Sequence, residues 1–463
     1  MDRRRFLQTS GFSGLAATAG ISGFALSQPT PTPNKLFIQE AHFDLGRGVT
    51  TEMISLSDNA PPPVLRMRQG EEVAFDITNT TEDYTAMHWH GLRIANTMDG
   101  VPYLTQFPFG KDQTFSYRFT PPDAGTYWYH PHCMTMRQMA RGLTGALIVE
   151  ERRPAEFDAD LALNLRDFRL NEDGTFLPAF SARGAARSGT HGNTITTNWR
   201  DNPQYAMPSG GLVRLRVLNT DTTRIHRVFF RGAAGRVIAW DGHPILNPVP
   251  MPTEALPLRI GPGQRFDVAL LVPTQEGSEI ILWSDVPGPP RPMASLVAEG
   301  APLNRDLRDT PILPQNPVST PNLNKAERLE FVFGWTSDGA ASNNGFCGSF
   351  NYAFWAINRT PWPGNAAENT GPLAELKLGK SYVLRLINES PNAHPIHLHG
   401  LTFLPIASNK RVRPRNWTDT VLLEKSETID IAFVADNPGD WAFHCHVIEH
   451  QKTGLAGYLR IIE

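Results

Sequence analysis

A frame of strand, turn and strand is written into this chain three times. Gly70 opens an alternating run that closes on Asn79, Gly210 opens one that closes on Asn219, and Gly379 opens one that closes on Asn388, nine residues from Gly to Asn in each case. Alternation of apolar and polar residues is the signature of a half-buried strand. A second landmark follows in each copy, a glycine leading an aromatic or apolar strand: Gly125-Thr-Tyr-Trp-Tyr, Gly277-Ser-Glu-Ile-Ile and Gly439-Asp-Trp-Ala-Phe. Self-similarity at this scale constrains the fold more than any local propensity. Long amphipathic helical periods are scarce, and 38 Gly and 39 Pro punctuate the 463 residues. The sequence therefore predicts an all-β chain of three domains, each a sandwich or barrel of antiparallel strands.

The predicted boundaries are a first domain over residues 28–152, a second over 153–300, a Pro-rich linker over 301–325 and a third domain over 326–463. Residues 1–27 read as an address instead. Arg3, Arg4 and Arg5 precede Phe6-Leu7, a Gly/Ala-rich apolar run extends from Gly11 to Ala25, and Ala25-Leu26-Ser27 offers the small residues of a cleavage site. Paired arginines before a weak apolar run resemble a twin-arginine signal, whose export machinery carries folded proteins. The run is shorter than the ~20 residues that a spanning helix needs, and no later segment is longer. The expected product is periplasmic or secreted, with no membrane span once the signal is removed. The formal charge of −3 comes without a long run of one sign. That distribution lacks the basic footprint of a nucleic-acid partner.

The 14 histidines are placed by the frame. Nine residues past Asn79 stands His88-Trp89-His90-Gly91, and nine past Asn388 stands His397-Leu398-His399-Gly400, with His394 three residues earlier. Five residues past Gly125 comes His130-Pro131-His132, and five past Gly439 comes His444-Cys445-His446, followed by His450. The middle copy has Val228-Phe229-Phe230 and Leu282-Trp283-Ser284 at the equivalent places, keeping the frame without the ligands. On a strand, side chains at i and i+2 share a face, so each His-x-His can offer two imidazoles to adjacent metal ions. The first and third copies must then share one metal site where they meet. Cys445 points away from its two neighbours and can join His394 and His450 in a His₂Cys set, the ligation of a blue-copper centre. His42, His191, His226 and His243 fall outside these clusters and read as ordinary structural histidines.

At these residues the chain resembles the multicopper oxidases, laccase-like enzymes built from three cupredoxin-like Greek-key domains. HWHG at 88–91, HPH at 130–132, HPIHLHG at 394–400 and HCHVIEH at 444–450 match the family's four copper motifs in order. The resemblance implies four copper ions. His394, Cys445 and His450 would hold a type 1 ion, His88 and His397 a type 2 ion, and a type 3 pair would take His90, His130 and His446 on one side and His132, His399 and His444 on the other. It also implies that His450 receives electrons from a small-molecule reducing substrate, and that O₂ is reduced to water at the three-ion cluster. Phenols and aromatic amines are the expected donors; Cu(I), Fe(II) or Mn(II) are the alternative, and a copper-free binding relative is a third reading. Asp99 matches the family's acid beside the type 2 site and is expected to relay protons.

Some positions depart from the pattern. Leu455 stands where many bacterial relatives carry an axial Met, and every Met lies at or before Met293. Gln451 stands where a second acid often follows the last type 1 histidine, and Glu449 is no obvious substitute. Met134, Met136 and Met139 read as core packing before copper binding. Cys133 and Cys347 are either a disulfide or two buried thiols.

Overall fold

The computed structural model describes residues 32–285, 288–336, 347, 352–362 and 371–463. The export signal expected over residues 1–27 lies outside them. Among the described residues the helices are short turns such as Thr135–Ala140, Ala182–Ala185 and Ile448–Lys452, and strands dominate. No described helix is long and apolar enough to cross a membrane.

The nine-residue frame has a physical basis in each copy. Gly70, Gly210 and Gly379 turn the chain with φ of +78°, +61° and +77°, the left-handed region that favours glycine. The closing asparagines are buried and organise the next turn with their own side chains. Asn79 accepts from the Thr81 amide at 3.0 Å and donates to the Asp83 carbonyl at 2.7 Å. Asn219 does the same with Asp221 and Arg224, and Asn388 with Ser390 and Asn392. A buried amide that satisfies both ends of a tight turn fixes where each strand stops.

Six sheets form, and each draws its strands from one stretch of sequence. Strands within 34–150 make two four-stranded sheets, those within 159–299 a six- and a five-stranded sheet, and those within 327–462 two five-stranded sheets. A separate apolar core fills each pair, around Phe75 and Trp89, around Leu215 and Phe266, and around Leu384 and Phe443. The all-β class expected from the sequence is what the chain adopts. The pairing is not purely antiparallel, however. Asn34–Asp44, Ala159–Phe168 and Glu327–Trp335 each run parallel to the frame strand of their own stretch. A parallel neighbour requires a crossover, which the first stretch supplies by placing Leu65–Arg68 in the opposite sheet before the frame strand returns.

Two features bind the stretches together. Trp128, Met136, Met139, Ile148, Ala162, Leu218 and Ile448 form one buried cluster with members from all three. Met136 and Met139 thus serve packing. Cys133 and Cys347 form a buried disulfide with a Cα–Cα distance of 4.6 Å across 214 residues of chain. Closing so long a loop removes much unfolded-state freedom, so the double substitution Cys133→Ala/Cys347→Ala is expected to cost about 2–4 kcal/mol in denaturant unfolding. Reductant should destabilise the natural protein and leave the double variant unchanged.

Candidate metal centres

Strand register brings the histidine motifs together. The strand Met87–His90 pairs with Gly125–Pro131 so that His88 faces His130, and His394–Leu398 pairs with Gly439–Cys445 so that His397 faces His444. The two ladders meet in one buried cluster. His88, His90 and His397 form one group, His90, His130 and His446 a second, and His132, His399 and His444 a third, with the ligand atoms of each group within 4.8 Å of one another. His394, Cys445 and His450 form a separate group on the other face of the Gly439–Cys445 strand. All ten histidines and the cysteine singled out from the sequence therefore fall in these four groups.

The outward-facing ring nitrogens are tied down, which decides which nitrogen is free. His88 Nδ1 donates to the Asp99 carbonyl at 2.8 Å, His397 Nδ1 to the Asp419 carbonyl at 2.9 Å, His130 Nδ1 to the Pro131 carbonyl at 3.1 Å and His444 Nδ1 to the Cys445 carbonyl at 2.9 Å. Each Nε2 is left as a lone pair aimed inward. His90 is reversed: its Nε2 meets Asp419 Oδ1 at 3.1 Å, leaving Nδ1 inward. His88 Nε2, His90 Nδ1, His130 Nε2, His397 Nε2 and both nitrogens of His446 are buried without a hydrogen-bond partner. Orphaned buried nitrogens are rare unless something else satisfies them. Inward lone pairs held by outer hydrogen bonds are the arrangement of imidazole metal ligands.

Protonation agrees. Burial holds His90, His130, His132, His394, His399, His444 and His446 well below the usual imidazole range and takes His450 down to about 3. These rings are neutral at physiological pH, as metal binding requires. Burial pushes the Cys445 thiol up, so a metal must displace its proton. Cys445 Sγ lies 3.6 Å from both His394 Nδ1 and His450 Nδ1. His394 Nε2 bonds Ser390 Oγ at 2.8 Å and His450 Nε2 donates to the Arg187 carbonyl at 2.6 Å, turning both Nδ1 atoms toward the sulfur. One soft thiolate with two imidazoles fits copper better than a hard cation.

With that geometry in view, comparison with known proteins is decisive. A solved multicopper oxidase from Pseudomonas thermotolerans matches with a TM-score of 0.83 at 38% identity, over 93% of this chain and 99% of that one. This chain belongs to the multicopper oxidase family. Two family models described as multicopper oxidase match residues 38–154 and 343–462. The multicopper oxidase MmcO of Mycobacterium tuberculosis is 28% identical over 92% of this chain and 86% of its own, and Laccase-1 of Botryotinia fuckeliana is 27% identical over 88% and 78%. Copper is therefore the cofactor of this multicopper oxidase, which is an oxidoreductase with O₂ as acceptor.

The oxidase also uses residues that the sequence reading missed. Asp419, fully buried, bonds His90 and lies 3.3 Å from His397 Nδ1, while Arg265 grips both its oxygens at 2.9 and 2.7 Å. Burial alone would raise the Asp419 carboxyl, but Arg265 and the histidines hold it well below the usual range. Burial raises its neighbour Asp241, which accepts from Thr418 and keeps its proton beside the charged Asp419. Gly91 of HWHG has φ of +89°, and a Cβ there would sit 2.5 Å from Asp419 Oδ2. The motif glycine makes room for this acid.

Asp99 is 1% exposed, with Oδ2 2.9 Å from His399 Nδ1 and Oδ1 3.3 Å from His88 Nδ1. Gln451 Nε2 lies 3.4 Å from His132 Nε2, so an amide occupies the place of the second acid. Glu449 turns the other way, onto the Thr190 amide and hydroxyl, and burial raises it to about 7.

Proposed function

We propose that this enzyme is exported and withdraws single electrons from small phenols or aromatic amines at a type 1 site of His394, Cys445 and His450, passing them to O₂ at a cluster held by the other eight histidines. The observation that carries the reading is the covalent succession His444-Cys445-His446. Strand alternation sends Cys445 to one site and its two neighbours to the other. Copper bound at these sites supplies one-electron acceptance at the thiolate and four-electron reduction of O₂ to water at the histidine cluster. His88 and His397 are assigned to the type 2 ion, His90, His130 and His446 to one type 3 ion, and His132, His399 and His444 to the other. The separate sheets of the three stretches support a division into domains 28–152, 153–300 and 326–463, with 301–325 as linker. The paired arginines near the start support export of the twin-arginine type to the periplasm or beyond.

The chain's own residues do the rest. Asp99 and Asp419 orient the rings from outside, the apolar neighbours exclude water, and Asp99 is placed to move protons to the site of O₂ reduction. Oxidation of a methoxyphenol under O₂, set against Cu(I), Fe(II) and Mn(II), tests the substrate class. Turnover of the metal ions with none of the phenol would overturn it.

Leu455 tunes the thiolate site. It is fully buried, its amide bonds the His450 carbonyl at 2.9 Å, and its carbonyl accepts from the Cys445 amide at 3.0 Å. Leu455→Met keeps nearly the same volume, so folding should be little disturbed. A thioether here could join His394, Cys445 and His450 in holding copper and would stabilise its oxidised state, so redox titration of the variant is expected to give a lower potential. A rise would contradict the assignment.

A further inference from the structure

We propose that the reducing substrate docks on a cap formed by residues Ser181–Thr190, whose two exposed arginines, Arg183 and Arg187, select anionic phenols. The inference rests on the phenol-oxidase reading above and narrows it.

The imidazole that should receive electrons does not meet solvent. His450 is fully buried, and its Nε2 is covered by the Arg187 carbonyl at 2.6 Å. That carbonyl belongs to a compact loop closed at its base, where the Ser181 amide donates to Thr190 Oγ1 at 2.9 Å. Ser181 also caps the helical turn Ala182–Ala185 by accepting from the Gly184 amide. Two further contacts pin the loop over the thiolate site: Trp355 Nε1 donates to the Ala185 carbonyl at 2.7 Å, and the Thr190 amide to Glu449 Oε1 at 2.9 Å. A donor molecule therefore approaches the outer side of this loop, and the Arg187 carbonyl is the contact between that surface and the ring.

The loop fixes what charge a donor meets there. Arg187 donates its amide to the Gly184 carbonyl just past the helical turn, so Arg183 and Arg187 stand four residues apart on one short loop. Both are exposed, and among the described residues neither has a carboxylate partner. The cap sequence Ser-Ala-Arg-Gly-Ala-Ala-Arg-Ser-Gly-Thr contains no acid, Met or Cys, and the nearby Glu449 is buried and engaged. Between Ser181 and Thr190 a metal cation would find two positive charges and no carboxylate or sulfur ligand. A phenol bearing a carboxylate, or ionised at its hydroxyl, finds local attraction on a chain whose net charge is −3. Each donor gives up one electron, a neutral phenol also releasing its hydroxyl proton to bulk water and a phenolate releasing none, and four electrons with four protons drawn from water convert one O₂ to two waters.

The test compares a methoxyphenol carrying a carboxylate with its methyl ester, on the copper-loaded enzyme and its Arg183→Glu/Arg187→Glu variant. KM for the carboxylate is expected to rise about tenfold with kcat little changed, the ester should be unaffected, and the exposed-site control Arg153→Glu should alter neither. Calorimetry with 4-methoxybenzoate, which resists oxidation, should show binding that weakens with added salt and vanishes in the double variant. Equal effects on acid and ester, or no effect on either, would overturn the anionic selection while leaving phenol oxidation intact. If the unmodified enzyme oxidised neither compound, the function itself would fall.

Discussion

Replacing Asp419 by alanine is expected to cost about 3–5 kcal/mol of stability, because it strands the Arg265 guanidinium, only 1% exposed, without its bidentate partner. The same carboxylate orients His90 and His397, so copper retention should also fall, by about 10–100-fold in affinity. Two variants separate these effects. Asp419→Asn keeps a hydrogen-bond acceptor for His90 but not the charge, and should retain more copper than stability. The pair Arg265→Met/Asp419→Leu removes both charges and should recover most of the stability while leaving the two rings unanchored. The pH dependence follows from the lowered carboxyl. The folded value lies below the unfolded one of about 3.9, so the contribution is complete above that pH. It is lost only as the pH falls through the lower, folded value, so Asp419→Ala should flatten the acid limb of the stability curve. Denaturant unfolding across pH with copper analysis of each variant checks all three statements. An alanine variant as stable and as copper-rich as the natural chain would refute them.

How much of this was legible before the structure can be judged residue by residue. The frame glycines and asparagines carry their meaning locally, since a left-handed φ at Gly70 and a side-chain-organised turn at Asn79 depend only on near neighbours. The His-x-His pairs were legible for the same reason, as alternation along a strand is a local rule. Asp419 was not. It enters the site because His397 pairs with Thr420 across the ladder and because Arg265, from the ligand-free middle stretch, reaches over to grip it. Neither register nor such reach is encoded by spacing. The middle copy keeps the frame without the histidine motifs and still supplies Arg265 to one centre and the Arg187 carbonyl to the other. The Cys133–Cys347 bridge was undecided for a similar reason, since 214 residues separate its ends.

Asp99→Asn is expected to lower O₂ turnover by about 100-fold, the usual contribution of a positioned acid–base group, while leaving the copper complement nearly intact. The contacts that hold His88 and His399 survive the substitution. His88 Nδ1 donates mainly to the Asp99 backbone carbonyl at 2.8 Å, which the substitution keeps, and an amide oxygen can still accept from His399 Nδ1. Orientation therefore survives, but the amide cannot take up and release a proton. Asp99 is 1% exposed and bridges His88 and His399, a place where no bulk water can substitute for it. Gln451, beside His132, is an amide and cannot take over that proton. KM for the reducing substrate should not move, because the cap over His450 is untouched, so the loss should appear in kcat alone. A turn residue in the short helical segment after Asn96 would behave differently, costing stability or copper with turnover per bound copper unchanged. Steady-state rates with copper content measured on the same samples distinguish the two, and full turnover per bound copper would remove Asp99 from the proton path.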